Sequence, residues 1–282
     1  MAIKDILFHL GTSRTAQSVG EFAVSLAVLT GAHLTAAGVA IEYPPLVADA
    51  GNFGGGWDFS TTELFAMLVE HSRKTTEQAY ERFVTSLSPD VRIEFVMIHT
   101  LQEIAGDEFG RLARRFDLSV ISQGEPEAAE DARQMIVGAL FASGRPVFLV
   151  PSTYKGPARL DKAIVCWDES MQAARALAES LPLLAQAQIV EVVCVRCADE
   201  SNESLPGFDI TRHLARHGIA SVLRELPASS DIGSAILSYT EESAADFIVM
   251  GAYGHWRLRE LIFGGTTRTI LGSTRIPALM AH

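Results

Sequence analysis

Basic residues are scarce in this chain: 23 Lys and Arg stand against 34 Asp and Glu, a formal net charge of −11 over 282 residues. Neutralising a nucleic-acid backbone or an anionic membrane takes clustered Lys and Arg, so neither is an expected partner. A small anion remains compatible, because a few amides and one or two basic side chains hold it whatever the global balance. Cysteine is scarcer still. Cys166, Cys194 and Cys197 are too few and too grouped for a secreted disulfide framework, and a reducing cytoplasm fits better. Cys194-x-x-Cys197 has redox spacing, but it falls at the end of an expected strand, where alternate residues face opposite ways. Buried, inert thiols are the simpler reading.

Other absences narrow the class further. MAIKDILFHL lacks a basic region followed by an apolar stretch and a small-residue cleavage site, so a signal peptide is not expected. Phe22 to Ile41 carries no formal charge, yet Thr30-Gly31-Ala32-His33 splits it into a helix end and a short strand, and no membrane span is expected. No Ser-His-Asp order, HExxH, paired CxxC or lysine-bearing P-loop appears, so no dedicated catalytic apparatus is visible. Apolar residues make up 48% of the chain and charged residues 20%, which places it among globular proteins long enough for two ordinary domains.

What is present is an alternation of short apolar runs and helical stripes. Ile6 to Leu10 reads as a first strand ending in Gly11-Thr12-Ser13. Val19, Phe22, Ala23, Leu26 and Leu29 form a helix stripe stopped by Gly31, and Leu34 to Ala40 is a second strand. The stretch 42–61, with Pro44-Pro45, Gly54-Gly55-Gly56, Phe53, Trp57 and Phe59, reads as a long loop, either a packed-down surface insertion or a lid. A long helix follows on Leu64, Leu68, His71, Thr75, Ala79, Phe83 and Leu87. Strands are expected over Val91–Ile98, Leu118–Ser122 and Pro146–Val150, with helices over Leu101–Phe116 and Gln134–Ala142.

Pro151 to Pro157 has the composition of a linker, and then the programme restarts. Ala163–Trp167, Ile189–Val195, Ala220–Leu226, Phe247–Met250 and Ile276–Ala281 are strands. Asp168-Glu169-Ser170 caps a helix carrying Ala173, Leu177, Leu181 and Leu184, and further helices lie around Ile210–His217 and Ile232, Ile236 and Tyr239. Lys4 matches Lys162 and Pro146 matches Pro277, so the chain is a tandem repeat. The expected fold is α/β: two tandem five-stranded parallel-sheet open α/β sandwiches, Rossmann-like, over residues 1–150 and 158–282. Ligands of such sheets bind at the carboxyl ends of strands where strand order reverses.

In the second half, that place brings strand one, ending at Asp168, beside strand four, ending at Gly251. Gly251 and Gly254 permit positive φ or close backbone approach. Gly264-Gly265-Thr266-Thr267 opens a helix whose unpaired amides can receive phosphate. Local chemistry alone leaves a plain loop with tight turns equally open. Asp168 likewise reads either as a ligand contact or as a helix N-cap.

The spacing Gly251-x2-Gly254-x9-Gly264, followed by a helix and a Pro-led apolar strand, resembles the nucleotide-binding motif of the universal stress protein family. The resemblance extends over nearly the whole chain as a tandem two-domain member, and it implies an adenine nucleotide alpha hydrolase-like fold. It implies that Asp168 approaches the adenosine end of an ATP, with or without Mg²⁺, and that Cys166 and Trp167 flank the base. Val195 would offer backbone to the base, and Met250, Gly251, Gly254, Gly264, Gly265, Thr266 and Thr267 would line ribose and triphosphate. It also implies that the strands ending each half, Ile276–Ala281 and Val147–Val150, pair with one another, so that the chain mimics a dimer; a true homodimer is a further expectation. Trp167 stands where the family often has a smaller residue, and would fill or reshape the pocket.

Gly265 departs from the family pattern, in which ATP-binding members usually carry Ser or Thr, and the lost hydroxyl is one hydrogen bond of roughly 0.5–1.5 kcal/mol. The first half departs further. Gly11 takes the place of Asp168, Glu125 to Asp131 brings four acids to the phosphate-loop position, and Arg133-Gln134 replaces Gly264-Gly265. No phosphate site is expected there. His255, Arg257 and Arg259 contact phosphate or a partner, or form a solvated face; Trp256 packs inward, and Asp199, Glu200 and Glu203 are solvated. The expected function is a cytoplasmic stress-response regulator that binds ATP or a related adenine nucleotide in its second domain and is not an enzyme beyond slow ATP hydrolysis. The alternatives are a non-nucleotide interaction protein with vestigial pockets, and a small-ligand or thiol sensor using the Trp57 loop and the Cys194/Cys197 pair.

Overall fold

The computed structural model describes residues 2–13, 16–43, 59–88, 91–124, 129–195, 210–227, 231–252 and 265–282. The first half runs β1 (Asp5–His9), α1 (Ala16–Thr30), β2 (His33–Ile41), α2 (Phe59–Thr85), β3 (Glu94–Thr100), α3 (Ala105–Ala113), β4 (Leu118–Ser122), α4 (Ala129–Ala142) and β5 (Val147–Val150). The second repeats it as β6 (Lys162–Cys166), α5 (Met171–Leu184), β7 (Ile189–Val195), α6 (Ile210–Arg216), β8 (Ser221–Leu226), α7 (Ile232–Ser243), β9 (Phe247–Gly251), α8 (Gly265–Ser273) and β10 (Ala278–Ala281). No helix among the described residues is long and apolar enough to cross a membrane.

The strands do not form two separate sheets. They make one sheet of ten strands in the order β3-β2-β1-β4-β5-β10-β9-β6-β7-β8. All neighbours are parallel except β5 and β10, which pair antiparallel with Ala278 opposite Leu149, Leu279 opposite Phe148 and Met280 opposite Val147. The expectation of two distinct five-stranded sandwiches is therefore corrected to one continuous mixed sheet. The pairing of the two last strands stands, so β10 is an interior strand. Because the seam is antiparallel, the carboxyl ends of the first five strands and of the second five point to opposite edges.

Continuous apolar runs are what a sheet covered on both faces requires. Along β10, Leu279 and Ala281 join the cluster built with Phe22 of α1, Ala79 and Phe83 of α2, Leu177 of α5 and Leu214 of α6. Ala278 and Met280 join the opposite cluster, with Phe109 of α3, Met135 of α4, Ile236 of α7 and Ile270 of α8. Period-two alternation thus sends successive residues to opposite helical layers. Across the seam, the Phe148 ring lies tilted against Phe247 with centroids 5.9 Å apart, and Phe22 sits edge-on to Phe148 at 5.1 Å. Burying each of these rings stabilises the fold by about 1.5–3 kcal/mol.

An internal symmetry missed in the sequence appears where strands begin. Asp117 Oδ2, before β4, accepts the Lys4 and Asp5 amides at 2.8 and 3.2 Å, and Asp246 Oδ2, before β9, accepts the Lys162 amide at 2.8 Å. The Asp117 amide donates to Asp5 O and the Asp246 amide to Lys162 O. Asp5 is therefore the counterpart of Lys162, and the matching of Lys4 with Lys162 is one residue out.

The buried stripe of α2 also differs from the expected one. Leu64, Leu68 and His71 are exposed, while Thr76, Ala79 and Phe83 are buried. Thr76 Oγ1 donates to Val39 O at 3.0 Å, and Ser72 Oγ accepts the Ile41 amide at 2.8 Å, so this helix meets β2 through polar groups. Several bounds shift as well: β3 starts at Glu94, α4 at Ala129, β10 at Ala278, and the helix expected from Leu101 opens as a single 3₁₀ turn, Gln102–Ile104, before α3. The connection after β5 is pinned on α1, with Ser25 Oγ accepting the Ala158 amide at 2.6 Å and the Tyr154 ring edge-on to Phe22 at 5.7 Å.

Candidate functional site

Strand order reverses between β6 and β9, which are parallel neighbours with Val165 opposite Val249. Beyond β6, the Trp167 amide continues the ladder by donating to Val193 O at 2.9 Å. The chain then turns sharply. Glu169 adopts a left-handed φ of 61°, Asp168 Oδ1 accepts the Ser170 amide at 3.0 Å, and Ser170 Oγ accepts the Ala173 amide at 3.1 Å. Ser170 is thus the N-cap of α5. Asp168 steadies the turn and stays exposed at the strand end, and its Oδ2 has no hydrogen-bond partner among the described residues. A non-glycine residue held in the left-handed region is locally strained, and such residues concentrate at functional turns.

Gly251 ends β9 against this turn. A Cβ there would come within 2.6 Å of the Ala173 nitrogen and 2.7 Å of the Gln172 carbonyl carbon. Close approach, not positive φ, is what this position requires. Met250 is buried in the layer of α8 and serves the core. The structure therefore brings the ends of β6 and β9 together through the first turn of α5.

Cys166 and Trp167 point to different layers. Trp167 is half-buried against the cluster of α1, α2, α5 and α6, away from α8. Cys166 packs on the other side, and burial, helped by the Asp168 charge and then by Cys194, pushes its thiol up to about 12. It is protonated and a poor nucleophile at neutral pH. Val195, the last residue of β7, is half-buried on the same layer.

At the start of α8, Gly265 is exposed, and among the described residues nothing lies within 4 Å of a Cβ built on it; Thr266 is half-buried and Thr267 buried. Thr269 Oγ1 donates back to Gly265 O at 3.0 Å. Gly254, Gly264, the loop residues His255, Trp256, Arg257 and Arg259, Cys197, the acids Asp199, Glu200 and Glu203, and residues 44–58 of the long loop lie outside the described residues.

The corresponding edge of the first half is chemically different. His9 replaces Cys166 at the end of β1. Burial pulls its imidazole down to about 4, and its ring stands edge-on to Phe109 at 5.4 Å. Gly11 replaces Asp168. Asp131 of α4 accepts from Gln102 Nε2 at 2.9 Å, and Gln134 Nε2 donates to Gln102 O at 2.6 Å, so side chains occupy this helix start. Among the described residues, no group of three or more His, Cys, Asp or Glu is placed to hold a metal ion.

Sequence reasoning missed two residues at the second edge. His282, following β10, directs Nδ1 to Ala252 O at 3.0 Å, and its ring lies 4.4 Å from that of Phe141 in the last turn of α4. Strand alternation from Ala278 and Met280 would have put His282 on the α8 side; the contact with Phe141 carries no sequence signal.

Residues 160–282 match the model of the universal stress protein family. A 45-residue stretch is 49% identical to a universal stress protein of Synechocystis sp., and it spans 16% of this chain and 16% of that relative. A universal stress protein structure from Archaeoglobus fulgidus superposes with a TM-score of 0.67 at 15% identity, covering 98% of this chain and 97% of that one. A putative universal stress protein from Pseudomonas aeruginosa gives 0.54 at 14% identity over 99% and 93% of the two chains. At such identities these two structures share a fold with the chain. The part of the chain that matches the universal stress protein model, residues 160–282, is the part that carries the turn at Asp168, the close approach at Gly251 and the start of α8.

Proposed function

We propose that the edge formed by β6, β9 and α8 binds an adenine nucleotide, ATP or a close relative with or without Mg²⁺, and that the protein is a stress-response regulator of the cytoplasm. The observation that carries this reading is the juxtaposition of Asp168 with Gly251 across the first turn of α5. An exposed carboxylate accepts from ribose hydroxyls or an adenine amine. The first-turn amides of α8, with the hydroxyls of Thr266 and Thr267, favour phosphate. No group placed as a general base is evident among the described residues, so hydrolysis of bound ATP is slow at most. Titration calorimetry with ATP tests the reading: binding that Asp168→Ala weakens supports it, and no heat at millimolar nucleotide would falsify it.

A second reading, an interaction protein whose crevices are vestigial, draws on Gly265 and on the first half, where Gly11 and Gln134 leave no carboxylate or glycine for a nucleotide. It expects a melting temperature that ATP and Mg²⁺ leave unchanged.

A further inference from the structure

The ten-stranded sheet ends on β3 at one side and on β8 at the other. An end strand presents a row of unpaired main-chain groups, and proteins blunt such edges with bulges, proline, lysine or covering elements. β3 is well covered: Phe95 to Ile98 are all half-buried, and the Phe95 ring stacks on Tyr80 of α2 with centroids 4.2 Å apart. β8 is more open. It pairs with β7 without interruption, from Ser221 opposite Val190 to Leu226 opposite Val195, so no bulge turns it away, and it contains neither proline nor lysine. Two consecutive apolar side chains stay in solvent on opposite faces, Val222 (opposite Glu191) at 50% exposure and Leu223 (opposite Val192) at 44%. Arg224 Nε lies 3.5 Å from Glu191 Oε1 on β7, so its charge is met within the sheet.

We propose that β8 is a self-association edge, through which two copies of this chain pair antiparallel about a twofold axis normal to the sheet. Symmetry and charge fix the register. Residues opposite one another share a face, so in two identical strands their numbers sum to an even value, and the registers of greatest overlap place either Leu223 or Arg224 on the axis. Arg224 on the axis sets like charges directly opposite, which destabilises the pair. Leu223 on the axis sets apolar against apolar, with Val222 opposite the partner's Arg224 and Ser221 opposite the partner's Glu225. No like charges then stand opposite, and each Arg224 keeps Glu191 as its counter-charge. The ten-stranded sheet of one copy thereby continues into that of the next. The six residues of β8 fall short of the ~20–30 residues a side of a standard interface, so the pairing is concentration-dependent.

Sedimentation velocity of the full chain over a wide range of concentration reads the pairing, at about 0.15 M salt to screen the net charge of −11 on each copy. A monomer–dimer transition is expected. Leu223→Lys, which sets lysine against lysine on the axis, moves its midpoint about tenfold or more to higher concentration. A chain that is monomeric throughout overturns the proposal and leaves β8 to a strand of another protein. A dimer that Leu223→Lys leaves unmoved overturns it by placing the contact elsewhere. Oxidation of cysteine variants checks the register without relying on the lysine variant. Two Leu223→Cys residues on the axis lie within disulfide range and give a covalent dimer. Two Val222→Cys residues, diagonal to one another, lie beyond that range and stay at the background that Cys166, Cys194 and Cys197 set in the unaltered chain. Linkage no greater through Leu223→Cys than through Val222→Cys overturns the register, and the proposal with it.

Discussion

Gly251 and Ala173 are in backbone contact: a Cβ on the glycine would lie 2.6 Å from the Ala173 nitrogen. The atoms it would meet are mostly main chain in the first turn of α5, which cannot rotate aside as a side-chain tip can. Gly251→Ala therefore forces β9 and α5 apart, at a cost of about 1–3 kcal/mol in unfolding free energy by urea titration. The same shift displaces the Asp168 turn, so nucleotide affinity falls in parallel. A variant of unchanged stability would mean that α5 yields at this point.

Gly265 is the opposite case. No described residue comes within 4 Å of the Cβ position, so Gly265→Ser meets none of them and restores a hydroxyl at the helix start. One added hydrogen bond to phosphate strengthens ATP binding by about 0.5–1.5 kcal/mol. Affinity that stays level in calorimetry would show that phosphate does not reach this residue.

Glu191 is a carboxylate in the middle of β7, only 6% exposed. Lys162 Nζ lies 3.3 Å and Arg224 Nε 3.5 Å from its oxygens, and Tyr239 donates its hydroxyl at 3.1 Å. Removing the acid leaves Lys162, with a side chain 20% exposed, without its counter-charge. Because Arg224 is half in solvent, the cost of Glu191→Ala is about 1–3 kcal/mol and not the full penalty of a buried pair. Tyr239→Phe costs about 0.5–1.5 kcal/mol. Chemical denaturation of the two single variants and the double variant measures their coupling.

His9 gives the fold an acid sensitivity. Its folded pKa is depressed from 6.5 to about 4, so the unfolded chain binds the proton more readily than the native one between those values. Stability from this group is present above pH 6.5 and is lost as pH falls toward 4. His9→Leu flattens the denaturation midpoint across that window, a change read by urea titrations at several pH values. An unaltered pH slope would show that the imidazole is solvated in the native state.

Strand positions were legible because a sheet covered on both faces leaves short, continuous apolar runs, and β4 and β7 fall on the expected residues. The α2 stripe was not, since Ser72 and Thr76 face β2 through hydrogen bonds and polar residues carry no apolar periodicity. Glu191 escaped for a related reason: its partners come from β6, β8 and α7, which only the fold assembles. At the site, glycine spacing singled out Gly251 and Gly265 but not what separates them, one pressed against a helix and the other facing solvent. Phe141 and His282 meet only because two strands run antiparallel at the seam.

That seam also bears on what a cut in the chain would do. Proteolysis within 151–157 would sever the covalent link but leave Val147, Phe148 and Leu149 hydrogen-bonded to Met280, Leu279 and Ala278, with Phe148 still against Phe247. The nicked protein would travel as one particle. A second-half fragment produced alone would instead carry β10 as a bare sheet edge, and its readiest complement would be β10 of another copy.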